Sequence, residues 1–518
     1  MSLVLRAAFT NHWYRTLVAR KSGISYRTAT ASGFYVIASL GARALDFISL
    51  AVLARLLTPD DFGLIAIALV FMQTIEAVFD IPIGGLLVRA RPLTRALLDT
   101  GFTLTLIRGL VVFGLLASAA SPIARFYSDP RLFWLVIALA CAPLARAVLS
   151  IRMVLYARRL DGRPDFWLSV GSKAVSLVAA ITVAATTRSY WAIAIATVTP
   201  WIASAIGSYF FAPYLPRLRL REWHFFYDFV GGMTLTQLFS ALLWQFDKLF
   251  LGRLVSSETL GRFYMAGNVA NLPFQVIGGP IIRPFSAALA ISHARNSLVA
   301  AFQKATRAVC LVMAPIIVSI ALLSTPILTL LLGDGWNGAA QWLTLLALAS
   351  LPGLPIQTLW PLCIALNRTG ALALRTGTEF ALYVPMVVVG YFLAGIPGVI
   401  GARLLSLVVS AGISMFLVRS LLKLRIRDQL ANLISPAIAT LALALVLAFL
   451  TTAIPAPTGR IALVAYVSGL GAIGMVTYVL TAVALWNAAG RPDGVERVAG
   501  SILAGLGRRA KSIAPLRS

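Results

Sequence analysis

A chain of 518 residues that is 59% hydrophobic and only 12% charged, with a mean hydropathy of +0.87, departs from soluble domains, which run at about 45–50% apolar and about 25% charged. That composition excludes an ordinary soluble enzyme and a disordered chain, and the length admits over a dozen helices of roughly 20 residues each. The formal net charge of +26 reads as loop charge retained on the cytoplasmic side of a membrane protein. It does not read as a nucleic-acid surface, because the basic residues are spread over many short segments.

The first thirty residues are polar and basic (Arg6, Arg15, Arg20, Lys21, Arg27). They lack the apolar core and cleavage site of a signal peptide, so they read as a cytoplasmic arm. Apolar segments then recur at about 31–57, 62–88, 101–121, 132–154, 167–187, 190–212, 225–251, 263–290, 305–331, 338–366, 371–393, 395–420, 433–453 and 460–486. The expected fold is therefore an all-α polytopic membrane protein of about fourteen transmembrane helices. With the N-terminus inside, the inner segments hold 29 Lys and Arg and the outer loops 6, and the bias never reverses along the chain. Both termini are expected to be cytoplasmic.

Comparing the two halves reveals a repeat. Arg55-Leu56-Leu57-Thr58-Pro59-Asp60-Asp61-Phe62-Gly63 aligns with Arg253-Leu254-Val255-Ser256-Ser257-Glu258-Thr259-Leu260-Gly261, 198 positions on. Gly84, Gly85 and Arg89 correspond in spacing to Gly278, Gly279 and Arg283. An offset spanning six helices keeps both copies in one orientation. The expected organisation is an arm (1–30), an N-lobe (31–212), a cytoplasmic linker (213–224), a parallel C-lobe (225–420), a final helix pair (433–486) and a basic tail (487–518). The two six-helix lobes are expected to flank a central cavity, as in alternating-access transporters. Arg55, Arg253 and the four glycines are candidates for a gate.

Charged residues inside the apolar segments are the candidate functional groups. An Arg or Lys at a helix centre costs about 2.5–3.5 kcal/mol on insertion scales, so such residues need a partner or a watery cavity. Arg43, Arg108, Arg146, Lys173 and Arg283 outnumber nearby acids. They are the expected anion-binding set, with guanidinium forks suited to phosphate oxygens. The bland reading is pairing, Arg43 with Asp46 and Asp247 with Lys248. In the second segment Gln73, Glu76 and Asp80 share the 3 and 4 spacing of one helix face, whereas the eighth carries Asn268, Asn271 and Gln275. Asp46, Glu76, Asp80 and Asp247 are the candidates for ion coupling.

The remaining chemistry is sparse. The three histidines (His12, His224, His293) and three cysteines (Cys141, Cys310, Cys363) occur at no metal or redox spacing, so no metal site or cofactor is expected and the cysteines read as small core residues. No GxxxxGK[ST] loop supports an ATP-driven pump. Catalysis is the weaker reading, since the outer loops are too short to hold an acceptor and catalytic groups.

Leu53 to Leu64, following the first helix, together with Phe246-Asp247-Lys248 through Gly252-Arg253-Leu254 to Gly261 and Tyr264, resembles the signature of Wzx-type polysaccharide flippases of the multidrug/oligosaccharidyl-lipid/polysaccharide (MOP) superfamily. The resemblance implies a non-enzymatic flippase of the bacterial inner membrane. Its substrate would be a polyprenyl-pyrophosphate-linked oligosaccharide, turned from the cytoplasmic to the periplasmic leaflet for exopolysaccharide, capsule or O-antigen assembly. It implies contact with membrane lipids and with the polymerase and glycosyltransferases of the pathway, no nucleic acid, and a tail groove at helices 13–14. Rival readings are a cation-coupled multidrug exporter, a peptidoglycan lipid-precursor flippase and a membrane glycosyltransferase.

Overall fold

The computed structural model describes residues 24–278 and 297–490, together with Phe285, Leu289 and Ser292. The expectations placed on Gly279, Arg283, the arm before residue 24 and the tail after residue 490 lie outside the described residues. Among those described the chain is helical, with no strand. It forms two compact units: Met1–Leu56 with Phe79–Gly231, and Leu57–Val78 with Gly232–Ser518.

The first unit holds α1 (Ile24–Leu56), α3 (Ile83–Arg89), α4 (Arg95–Phe126), α5 (Arg131–Ala147), α6 (Val154–Arg158), α7 (Arg163–Thr187) and α8 (Trp191–Phe211). α1 packs on α7, α7 on α8, α8 on α5 and α5 on α4. Small residues make the tight contact possible. Ser172, Ser176, Ala180 and Ala184 form a buried stripe at every fourth position of α7, and Ser176 Oγ donates to the Ala196 carbonyl of α8 at 2.9 Å. Helices associate in hydrocarbon through such close packing and interhelical hydrogen bonds. α4 starts where the Thr94 hydroxyl accepts from Leu97 N–H at 3.2 Å, an N-cap.

The segment expected to be a plain linker is stitched to α4. Tyr214 donates to the buried carboxylate of Asp99. Arg219 N–H and Glu222 N–H donate to the hydroxyls of Thr103 (3.0 Å) and Thr100 (3.3 Å). Burial, and then the bond to Asp99, hold the Tyr214 phenol above its ordinary value.

The second unit holds α2 (Pro59–Val78), the body of α9 (His224–Leu254), α10 (Ser257–Pro273), α11 (Leu298–Leu322), α12 (Ser324–Leu332), α13 (Ala340–Ser350), α14 (Leu359–Ala365), α15 (Thr369–Leu422), α16 (Ile426–Ala453) and α17 (Arg460–Ala488). α2 is buried at every position from Phe62 to Val70, as an all-round apolar helix must be. It packs on α10, α10 on α13, α11 on α13 and α16, and α16 on α17. Val318, Leu443, Leu447 and Leu470 form the core between α11, α16 and α17, closed by Tyr478 Oη donating to the Leu311 carbonyl at 2.8 Å.

α15 is two helices joined at a kink, with non-helical backbone at Ala394 and at Gly395 (φ +63°, ψ −139°). The break falls inside the Pro/Gly-rich stretch 390–398, which separates the eleventh and twelfth apolar segments. Nine helices among the described residues are long and apolar enough to cross a membrane, eleven if each bent pair is one span. The fourteen apolar segments exceed that count in part because α15 merges two of them. The shared face of Glu76 and Asp80 is corrected by the structure. α2 ends at Val78, and Asp80 lies in the break two residues ahead of Pro82, whose ring drives the residue before it, Ile81, out of helical geometry.

Candidate functional site

In the first unit, two of the expected anion-binding cations meet carboxylates. Lys173 Nζ on α7 lies 2.5 Å from Asp46 Oδ1 on α1. Arg108 Nη2 on α4 lies 3.0 Å from Asp80 Oδ1. Lys173 thus finds its carboxylate on a neighbouring helix. Pairing removes most of the cost of a cation in hydrocarbon. Yet the carboxylates remain reachable, with Asp46 41% and Asp80 38% exposed. Arg146 uses a different partner, its guanidinium standing 5.3 Å from the Trp201 ring centroid, a cation–π distance. Arg43 is exposed on α1, three residues before Asp46.

The second unit carries a second polar centre. Asp247 on α9 is 2% exposed, and its Oδ2 accepts from Arg403 Nη1 on the second arm of α15 at 3.3 Å. Lys248 is not its salt-bridge partner as anticipated. The ammonium of Lys248 donates to the Trp244 carbonyl (3.2 Å) and to Gln245 Oε1 (3.1 Å), while only its backbone N–H reaches Asp247 Oδ1 (2.8 Å). On the first arm of α15, Arg375 Nη2 is 2.7 Å from Glu379 Oε2. Ser410, from the second arm, accepts from Arg375 and donates to Glu379 Oε2 at 2.9 Å.

These pairs border a cavity of about 330 Å³ whose wall includes Trp244, Trp360, Arg375, Glu379, Tyr383 and Arg403. Arg375 Nε and the Tyr383 hydroxyl are buried on that wall without a hydrogen-bond partner. The cavity thus sets aromatic surface beside arginines that are matched by Glu379 and Asp247.

The other residues singled out in the sequence fall elsewhere. Glu76 is half-buried on α2, and one turn earlier Gln73 accepts from Gln245 Nε2 at 2.7 Å. Arg55 and Arg253 are exposed, Gly84 and Gly85 are exposed with open space around them, and Gly278 is buried. Among the described residues no group of three His, Cys, Asp or Glu side chains could hold a metal ion. The sequence reading missed Arg375, Glu379 and Tyr383. Their spacing of four puts them on one helical stripe, a signal that was present in the sequence.

The family model described as "Polysaccharide biosynthesis protein" matches residues 52–341. The succinoglycan biosynthesis transport protein ExoT of Rhizobium meliloti is 23% identical over 369 residues, 68% of this chain and 75% of that protein. The lipopolysaccharide biosynthesis protein WzxC of Escherichia coli is 23% identical over 410 residues, 76% of this chain and 81% of that protein. The solved structure of the lipid II flippase MurJ, in an inward closed conformation, superimposes with a TM-score of 0.66 at 15% identity, over 88% of this chain and 99% of that one. With the family match spanning more than half its length, the chain belongs to the polysaccharide biosynthesis protein family.

Proposed function

We propose that this transporter turns polyprenyl-pyrophosphate-linked oligosaccharide repeat units from the cytoplasmic to the periplasmic leaflet of the bacterial inner membrane. The product feeds exopolysaccharide, capsule or O-antigen assembly. The observation that carries the reading is the pair of salt bridges Lys173–Asp46 and Arg108–Asp80, whose carboxylates are 41% and 38% exposed. A cation whose acid partner is reachable by water can exchange that partner for a phosphate oxygen. Arg43, Arg108, Arg146, Lys173 and Arg283 would hold the pyrophosphate, and Asp46, Asp80, Glu76 and Asp247 would retain the cations or a coupling ion between cycles.

The lobes of residues 31–212 and 225–420 would alternate access to the two membrane faces, with both termini cytoplasmic. An inside-negative potential favours outward passage of an anionic headgroup by about 2.3 kcal/mol per charge per 100 mV. The tail must stay in hydrocarbon throughout, at about 0.8 kcal/mol per CH₂. α16 and α17 offer large exposed apolar side chains for it, among them Phe449 and Ile461. The polymerase and glycosyltransferases of the same pathway are the expected partners.

The test is leaflet-resolved detection of the lipid-linked oligosaccharide in a deletion strain. Accumulation on the cytoplasmic leaflet, reversed by the wild-type chain, is the expected result. Normal periplasmic exposure in the deletion strain would overturn the reading.

A further inference from the structure

We propose that the segment from Leu215 to Trp223 is a docking strip for anionic phospholipid, taking the headgroup phosphate on its arginines and the adjoining acyl region on its leucines. The inference goes beyond the transport reading and does not depend on which molecule is moved. Leucine alternates with arginine along Leu218-Arg219-Leu220-Arg221, preceded by Leu215-Pro216-Arg217. Every side chain of that run is exposed, Leu218 by 68% and Leu220 by 45%. Among the described residues no carboxylate pairs with any of the three guanidiniums.

The exposed side chains are carried on a pinned backbone. Ser150 Oγ donates to the Ala212 carbonyl at 2.6 Å and Arg152 Nη1 to the Pro213 carbonyl at 2.7 Å. Tyr214 donates to the buried Asp99, and the N–H groups of Arg219 and Glu222 donate to Thr103 and Thr100. The strip is thus ordered before a partner arrives, which lowers the entropy cost of binding.

The anchors also set its depth. α4 has 32 residues, about 48 Å at 1.5 Å per residue, against a hydrocarbon thickness of roughly 30 Å. Shared between its ends, the overhang places Thr100 and Thr103 near the boundary of headgroups and hydrocarbon. Leucines and arginines at that level can meet acyl carbons and lipid phosphates together. An acidic protein surface would satisfy the arginines and leave the leucines in water.

A second run shows what is special here. Lys423-Leu424-Arg425-Ile426-Arg427 has the same alternation and three exposed cations. There Leu424 is 8% exposed and belongs to a core cluster, and Ile426 is half-buried. Its apolar residues serve the fold, so it is a charge-matched control.

The experiment uses the full chain in detergent micelles, titrated with dibrominated phosphatidylglycerol or dibrominated phosphatidylcholine. Bromine quenches nearby indoles, and the part of the quenching lost in Trp223→Phe reports the strip. Phosphatidylglycerol should quench that part saturably, at a mole fraction about tenfold or more below phosphatidylcholine, each arginine near a lipid phosphate contributing about fivefold. The triple variant Arg217→Gln, Arg219→Gln, Arg221→Gln should abolish most of that preference. The pair Leu218→Ser, Leu220→Ser should weaken binding by about tenfold or more. The control triple Lys423→Gln, Arg425→Gln, Arg427→Gln should change binding by less than about twofold, the scale expected where no contact is lost.

Equal quenching by the two lipids, or equal losses in the two triple variants, would overturn the proposal. Full displacement by glycerol phosphate would make this a site for free phosphate, and displacement by polyglutamate with the leucine pair unaffected would assign it to an acidic protein; either result overturns the lipid assignment. Should Trp223→Phe fail to fold, the rise in melting midpoint on adding each lipid carries the same comparison among the other variants.

Discussion

Gly63 and Gly261, 198 positions apart and equivalent in the repeat, meet where α2 crosses α10. A Cβ on Gly261 would stand 1.8 Å from the Pro59 carbonyl oxygen and 2.8 Å from Gly63 N, and a Cβ on Gly63 would stand 1.8 Å from the Ser257 carbonyl oxygen. The surrounding motif explains why both copies look alike. Thr58 and Asp61 cap α2 reciprocally, with Thr58 N–H donating to Asp61 Oδ2 at 2.9 Å and Asp61 N–H to Thr58 Oγ1 at 3.4 Å, while the Ser256 hydroxyl accepts from Thr259 N–H at 3.3 Å at the start of α10. The repeat is a capped turn followed, in each copy, by a helix start that tolerates no side chain at one point. Gly63→Ala and Gly261→Ala should each force the helices apart and cost at least the roughly 1–3 kcal/mol of an overpacked core. Melting of the purified protein checks this. Gly267→Ala, on the same helix with nothing within 4 Å, should be neutral or stabilise by up to about 1 kcal/mol.

The half-exposed salt bridges make a prediction with a direction. If Lys173 and Arg108 serve an anionic headgroup and their acids only hold them between cycles, the two sides of each pair should not be equivalent. Lys173→Ala and Arg108→Ala should lower polymer output by about tenfold or more, the scale of one lost charge-assisted contact. Asp46→Asn and Asp80→Asn should retain more output than their partners' variants. The measurement is polymer yield in a complemented deletion strain at matched expression. Equal losses on both sides would make these pairs structural.

Tyr214 and Asp99 give the segment between the two halves a pH dependence. The phenol sits above its ordinary value of 10.0, through burial first and then its bond to Asp99. A group whose folded value is raised contributes stability that is complete below the unfolded value and is lost as pH climbs through the folded one. Wild-type stability should therefore fall once the pH passes about 10, and Tyr214→Phe should show a shallower fall. At neutral pH the same variant leaves Asp99, 2% exposed, without its donor and should cost about 1.5–3 kcal/mol. Melting curves at neutral and alkaline pH separate the two effects.

What the sequence disclosed follows from how local each signal is. The repeat was legible because caps and close-approach glycines are fixed by a few neighbouring residues. The break at Gly395 was legible because its surroundings are rich in Gly and Pro. The embedded cations were conspicuous because hydrocarbon makes each one expensive. Their partners were not, since Lys173 finds Asp46 and Arg403 finds Asp247 from distant segments, and the obvious neighbour Lys248 misled. Asp80 was set on a helical face because the 3 and 4 spacing ran on to it, whereas the helix stops at Val78, short of Pro82. Arg375 was passed over because it sits within two turns of the helix start at Thr369, where helix boundaries are least certain.

Arg403 and Asp247 carry the sharpest stability prediction, because the two partners are unequally buried. Asp247 is 2% exposed and Arg403 22%, so removing the arginine strands a carboxylate with no water to turn to, whereas removing the acid leaves an arginine that still reaches solvent and stands 5.9 Å from the Trp244 ring. Breaking a buried pair from one side costs about 3–5 kcal/mol, and replacing both partners with uncharged groups of similar shape is often nearly neutral. Arg403→Met alone should therefore destabilise strongly and Asp247→Asn alone less. The double variant should recover most of the loss, a coupling of neighbours that a double-mutant cycle on melting free energies measures. Simple additivity of the two single changes would mean that the carboxylate is satisfied by something other than the guanidinium.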